Sequence, residues 1–235
     1  MTRNLIVTWL LGGFAALDAT PVAQTLLSQP LVTATFLGWL WGDWKTAFEV
    51  GIVLQILAAS TLPVGARTPE DYAIGGVIGT GLALALASLE PFEMARTSSA
   101  LIGVMVGLTA AKLSVPMLKW QRRRNEALAR WCEAELREGH EGALGAAQWA
   151  GVVLAFGVGV GFTAFALGVG LRTLHGLVMD QSLRLSRAWS LAQPLWLGLG
   201  LAQLLQAFLQ RRLARAALFG VSLLTAWLFL VVRAQ

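Results

Sequence analysis

The chain carries one cysteine, Cys132, in 235 residues. An intrachain disulfide is therefore excluded. Histidine is nearly as scarce. His140 and His175 are the only two, and they do not pair at a metal-ligand spacing. No serine-centred nucleophile elbow and no Gly-Lys phosphate loop occurs. No catalytic residue, metal or cofactor is expected, and the chain does not read as an enzyme. Charge is thin as well. Asp, Glu, Lys and Arg make up 13% of the residues, against about 25% in soluble domains.

What is abundant is apolar. Hydrophobic residues reach 56%, and mean hydropathy is +0.65. Long uncharged runs make this an all-α, polytopic membrane protein, with the lipid bilayer as its first partner. The net charge of +5 would hint at nucleic acid in a soluble protein. Here the basic residues lie between apolar runs, and no stripe of base-stacking aromatics accompanies them, so no nucleic-acid partner is expected.

The uncharged runs set the spans. Residues 4–17 form a first helix closed by Asp18. With Arg3 as its only positive flank, this segment reads as a span rather than a cleaved signal. Residues 72–89, 97–118, 142–171, 188–210 and 216–232 are further spans. The stretches 19–42 and 46–66 are apolar but interrupted by Pro21, Pro30, Pro63 and glycines. The expectation is about six full transmembrane helices plus broken or re-entrant segments, in one membrane domain over residues 1–235.

Basic clusters set the orientation. Lys119, Arg122, Arg123, Arg124 and Arg130 occupy one loop, and Arg211, Arg212 and Arg215 another. Charge bias puts both in the cytoplasm and residues 172–187 outside. Arg3 places the N-terminus inside too, so residues 19–66 must make one net return, as a crossing plus a re-entrant hairpin. Within about 118–141, Leu128, Trp131, Cys132 and Leu136 share one helical face. This segment is expected to be an amphipathic cytoplasmic helix at the interface, with a solvated helical linker as the alternative. Gly75 and Gly79 have the spacing of closely packed membrane helices.

Polar residues inside apolar runs are the candidates for function, because an ionised side chain at the bilayer centre costs at least about 2.5–3.5 kcal/mol. Asp43 and Lys45 read as a turn with a local ion pair. Asp18 is either an interfacial cap or a functional carboxylate. Glu49 and Gln55 must find partners or line a cavity. Gln55 has two donors and an acceptor, suited to sugar hydroxyls or to an interhelical hydrogen bond. Asp18 and Gln55 are the expected substrate contacts, and Glu49 is a further candidate weighted toward a structural role.

The order of motifs between residues 17 and 79 resembles the IIC subunit of mannose/fructose/sorbose-type sugar phosphotransferase systems. The matching residues are Leu17-Asp18, Pro30-Leu31-Val32, Gly38 with Gly42-Asp43, Thr46, Leu54-Gln55, Leu62-Pro63-Val64-Gly65-Ala66, and Pro69 with Asp71. Three positions depart from the family pattern. Gln29 stands where arginine is usual, Gln55 where glutamate is usual, and Thr68-Pro69-Glu70-Asp71 replaces a Pro-Pro-Asp close. The resemblance implies a permease of the bacterial inner membrane that binds and translocates a hexose. A IID-type membrane subunit and soluble IIA and IIB phosphocarriers would be its partners in an oligomeric assembly, with IIB phosphorylating the sugar. The alternative is a non-transporting homologue that serves as a scaffold or regulator of phosphotransferase components.

Overall fold

Backbone groups in hydrocarbon must be satisfied internally, and long apolar runs do this as helices. The computed structural model of the protein describes residues 1–19, 25–59, 70–89, 92–208 and 212–233. The helices are α1 (Thr2–Ala19), α2 (Pro30–Trp41), α3 (Trp44–Ala59), α4 (Tyr72–Leu89), α5 (Glu93–Arg137), α6 (Ala143–Asp180), α7 (Ser182–Phe208) and α8 (Arg212–Arg233). No strand occurs among the described residues. Helices α4, α5 and α6 are long and apolar enough to cross a membrane. Pro21, Pro63, Gly65, Arg67, Pro69 and Arg211 lie outside the described residues.

Helix α4 is the centre of the fold, buried at every position from Ala73 to Ala87. It packs antiparallel to α5 along facing glycines. A Cβ on Gly75 would stand 2.6 Å from the Gly107 carbonyl oxygen, and one on Gly79 would stand 2.6 Å from that of Gly103. Only glycine lets the two backbones approach this closely. Helix α1 packs antiparallel to α6, with Gly12 against Thr163 and Gly13 against Phe156.

These pairings sort the chain into two ends. At one end α2 and α3 meet in a tight turn, with Gly42 in the left-handed region at φ 73°. Lys45 Nζ lies 2.7 Å from Glu93 Oε1, and Arg96 Nε lies 3.6 Å from Asp43 Oδ2. Asn4 Nδ2 donates to the Leu40 carbonyl, and Ser98 Oγ donates to the Ser182 carbonyl beside the α6–α7 junction. The other end holds Asp71, whose N–H bonds the Ala111 carbonyl, and the basic C-terminal part of α5.

Two expectations about orientation change. The N-terminus lies at the end opposite the basic clusters, not beside them. One arginine was the only ground for placing it with them, and the charge bias is a matter of counts over loops. As a result, α2 and α3, residues 30–59, make no net return. Helix α1 already runs toward the basic end, and the α2–α3 hairpin goes out and comes back.

The amphipathic segment also differs from the in-plane helix expected. Residues 118–137 continue α5, which at 45 residues is about 68 Å long at 1.5 Å per residue. That exceeds a hydrocarbon core of about 30 Å. Leu128 and Cys132 are turned inward, with Cys132 buried, while Trp131 and Leu136 are exposed. The next helix supplies the cover: Gly151 of α6 lies beside Asn125 of α5.

Candidate functional site

Helices α2 and α3 have 12 and 16 residues, about 18 and 24 Å of rise. Helix α2 does not reach across about 30 Å of hydrocarbon. Its N-terminal end therefore falls within the membrane depth. Pro30, the first residue of α2, packs on Gly76, more than a turn into α4. Residues Thr25–Gln29 lead into it as non-helical backbone. Such backbone survives in a membrane only when protein groups or a water-filled cavity satisfy it.

The sequence-selected polar residues do this. The Asp18 side chain, 5% exposed at the end of α1, accepts from the Thr25 N–H, from Thr25 Oγ1 at 2.8 Å and from the Ser28 N–H at 2.8 Å. On the far side, Gln55 Oε1 accepts from the Leu31 N–H at 3.2 Å, and Gln55 Nε2 donates to Gln29 Oε1 at 2.7 Å. Asp18 and Gln55 thus converge on one strap, Thr25–Leu31, from opposite directions. Within it Leu26 has φ 71° and is 61% exposed. A bulky residue with positive φ is a strained position, held only where its surroundings over-determine it.

Glu49 does not join them. Its Oε2 accepts from Trp189 Nε1 of α7 at 3.1 Å. Residues 49 and 55 are six positions apart on α3, about 120° around the helix, so one faces α7 and the other α2. Asp43 and Lys45 form the expected turn, but the ion pair is not local. Asp43 caps α3 through the Thr46 N–H and Thr46 Oγ1, and Lys45 reaches across to Glu93. Asp71 caps α4 through the Ile74 N–H at 3.2 Å.

Gln29 is the residue that sequence reasoning passed over. Gln29 and Gln55 each depart from the family pattern. They touch. The resemblance implies arginine at one position and glutamate at the other, so two simultaneous amides were a signal of contact. A neutral amide pair takes the place that opposite charges would fill.

Chemically, the strap gathers a carboxylate, two amides and the hydroxyls of Thr25 and Ser28 at the break between α1 and α2. Both Gln55 functional atoms are engaged, yet an amide retains a second proton and a second lone pair. This set can bind a polyhydroxyl ligand. A separate exposed group, Glu135, Glu138 and His140, forms the α5–α6 turn, with His140 Nδ1 2.8 Å from Glu135 Oε2.

Residues 3–233 match the family described as "PTS system sorbose-specific iic component". The chain belongs to this sorbose-type IIC family. It is accordingly a multi-pass membrane subunit of a sugar phosphotransferase permease and not itself an enzyme, because phosphoryl transfer is done by IIA and IIB. A solved structure described as "Structure of membrane protein" superposes with a TM-score of 0.68 over 100% of this chain and 94% of its own, at 17% identity. That likeness speaks for the fold alone. No curated protein matches the IIC chain.

Proposed function

We propose that this IIC chain is the channel subunit of a mannose-type system in the bacterial inner membrane, binding a hexose at the strap and translocating it. A IID-type membrane subunit and the soluble IIA and IIB proteins complete the oligomeric machine. IIB then phosphorylates the sugar as it leaves on the cytoplasmic side. Asp18 and Gln55 are the substrate contacts, and Glu49 positions α3 against α7 through Trp189. One observation carries this reading. In a member of a sugar-permease family, two polar side chains hold a non-helical segment at membrane depth, the arrangement in which broken helices form transporter sites. The test is hexose uptake in cells supplying IID, IIA and IIB. Gln55→Leu should cut binding by roughly tenfold, about 1.4 kcal/mol, with insertion intact. Unchanged uptake would remove Gln55 from the site.

The Gln29–Gln55 pair also favours a second reading. An uncharged pair bonded to each other and to the start of α2 suits a non-transporting scaffold for phosphotransferase components. Absence of uptake by the wild-type chain with all partners present, together with retained association with them, would select it.

A further inference from the structure

Lys112 is an exposed cation within a spanning helix. The Arg96–Asp43 and Lys45–Glu93 pairs mark one edge of the hydrocarbon, since charges of both signs gather there. At 1.5 Å per residue Lys112 stands about 24 Å along α5 from Arg96. That depth is about 6 Å short of the opposite edge of a hydrocarbon core about 30 Å thick. The lysine stem is long enough to carry its ammonium to that edge.

Two more cations continue the same face. Offsets of 7 and 11 residues put Lys119 and Arg123 within about 40° of Lys112 around the helix. Both are exposed, and they lie at about 35 and 40 Å from Arg96, in the headgroup layer. The opposite face of α5, with Ala111, Ser114 and Gln121, is buried against the bundle. Trp120, half exposed beside the stripe, holds Arg124 over its ring at 5.4 Å. A tryptophan at this depth belongs to the interfacial aromatic belt. Among the described residues, Lys112, Lys119 and Arg123 carry no hydrogen bond or ion pair. An intramembrane cation calls for an anionic partner, and the first carboxylate further along this face of α5, Glu126, stands about 21 Å beyond Lys112.

We infer that the Lys112–Lys119–Arg123 stripe binds the phosphate headgroup of an anionic phospholipid in the leaflet on the basic side. The ammonium of Lys112 approaches the phosphate from below, Lys119 and Arg123 meet it from above, and the acyl chains run along exposed Leu113 and Met105. Charge complementarity and depth select a lipid over a soluble anion, because Lys112 is reached only from the membrane.

The full-length chain in nanodiscs tests this. Replacing part of the phosphatidylcholine by phosphatidylglycerol should raise the thermal midpoint, and native mass spectrometry should retain bound phosphatidylglycerol. K112Q/K119Q/R123Q should weaken that retention by about tenfold or more. K112R/K119R/R123K, which keeps the charges, should preserve it, so that loss in the first variant is separable from misfolding. R130Q/R137Q, beyond the bilayer on the same helix, should also preserve it. Equal midpoints in the two lipids would overturn the proposal, as would retention by the triple glutamine variant or loss in the R130Q/R137Q control. Soluble glycerol phosphate should have no effect in phosphatidylcholine discs. If it reproduces the shift, the site serves a free phosphate and the lipid assignment falls.

Discussion

Two antiparallel helix pairs solve the same problem in different ways. In α4–α5 the helices are long enough to close their own backbone bonds, and glycines bring them together. Contact is made by removing side chains: Gly75 and Gly79 meet Gly107 and Gly103. In α2–α3 small residues also bring the helices together, Gly51 against Ala34 and Gly38 against Ala47, but α2 is shorter than the bilayer thickness and polar side chains take over at its open end. Asp18 and Gln55 take up the N–H groups of Thr25, Ser28 and Leu31. The first pair is rigid and excludes ligands. The second gathers buried polar groups at the break before α2. The same economy of charge reads oppositely in the two: absence of polar groups marks a packing seam, and their isolated presence marks a break.

The largest expected effect lies in the glycine seam. Gly79→Val would drive side-chain atoms into the Gly103 carbonyl and push α5 away, costing about 3 kcal/mol. Loss of the monodisperse peak in size-exclusion chromatography would register it. If that variant purifies normally, the seam is softer than the contrast with α2–α3 implies.

Next comes the strap. Asp18→Ala leaves the Thr25 and Ser28 N–H groups without their acceptor, at about 1–3 kcal/mol for each buried group. Thermal unfolding should fall, and hexose binding should be lost with it. A variant that unfolds early yet still binds hexose would make Asp18 purely a clamp.

The amide pair sharpens the comparison further. Gln55→Glu alone places a carboxylate against Gln29 at a 2.7 Å contact and should destabilise. Q29R/Q55E should recover most of the loss, with a coupling of about 1–2 kcal/mol in a double-mutant cycle. Additive effects would mean that the two side chains do not share one site. The smallest effect is expected at the hairpin tip. Lys45 and Glu93 are both largely exposed, and exposed pairs contribute little. Lys45→Ala should leave the midpoint unchanged within error at physiological salt, and a large drop would show the tip to be a structural lock.

Much of the fold was legible in advance because the governing forces are local. An uncharged run of sufficient length must be helical in lipid, so the long spans follow from the order of residues, as does the non-helical stretch before Pro30. Polar residues stranded in apolar runs, Asp18, Glu49 and Gln55, stood out because burial without a partner is costly. Family membership was legible through the spaced motifs from Leu17 to Asp71.

What the order of residues left open was which partner each polar group takes. Glu49 and Trp189 are 140 positions apart, and Lys45 and Glu93 are 48 apart. Composition carries no information about such pairings. Side assignment at the N-terminus rested on one charge, and the packing of α1 on α6 overruled it. The segment 118–137 could be an interfacial helix or a solvated linker by its sequence, and the structure continues it from α5 with Leu128 and Cys132 turned inward and Trp131 and Leu136 exposed. Local chemistry determined that helices form and where they break. Tertiary packing decided what the breaks face, because hydrogen-bond partners across helices are chosen by geometry among residues far apart in the chain.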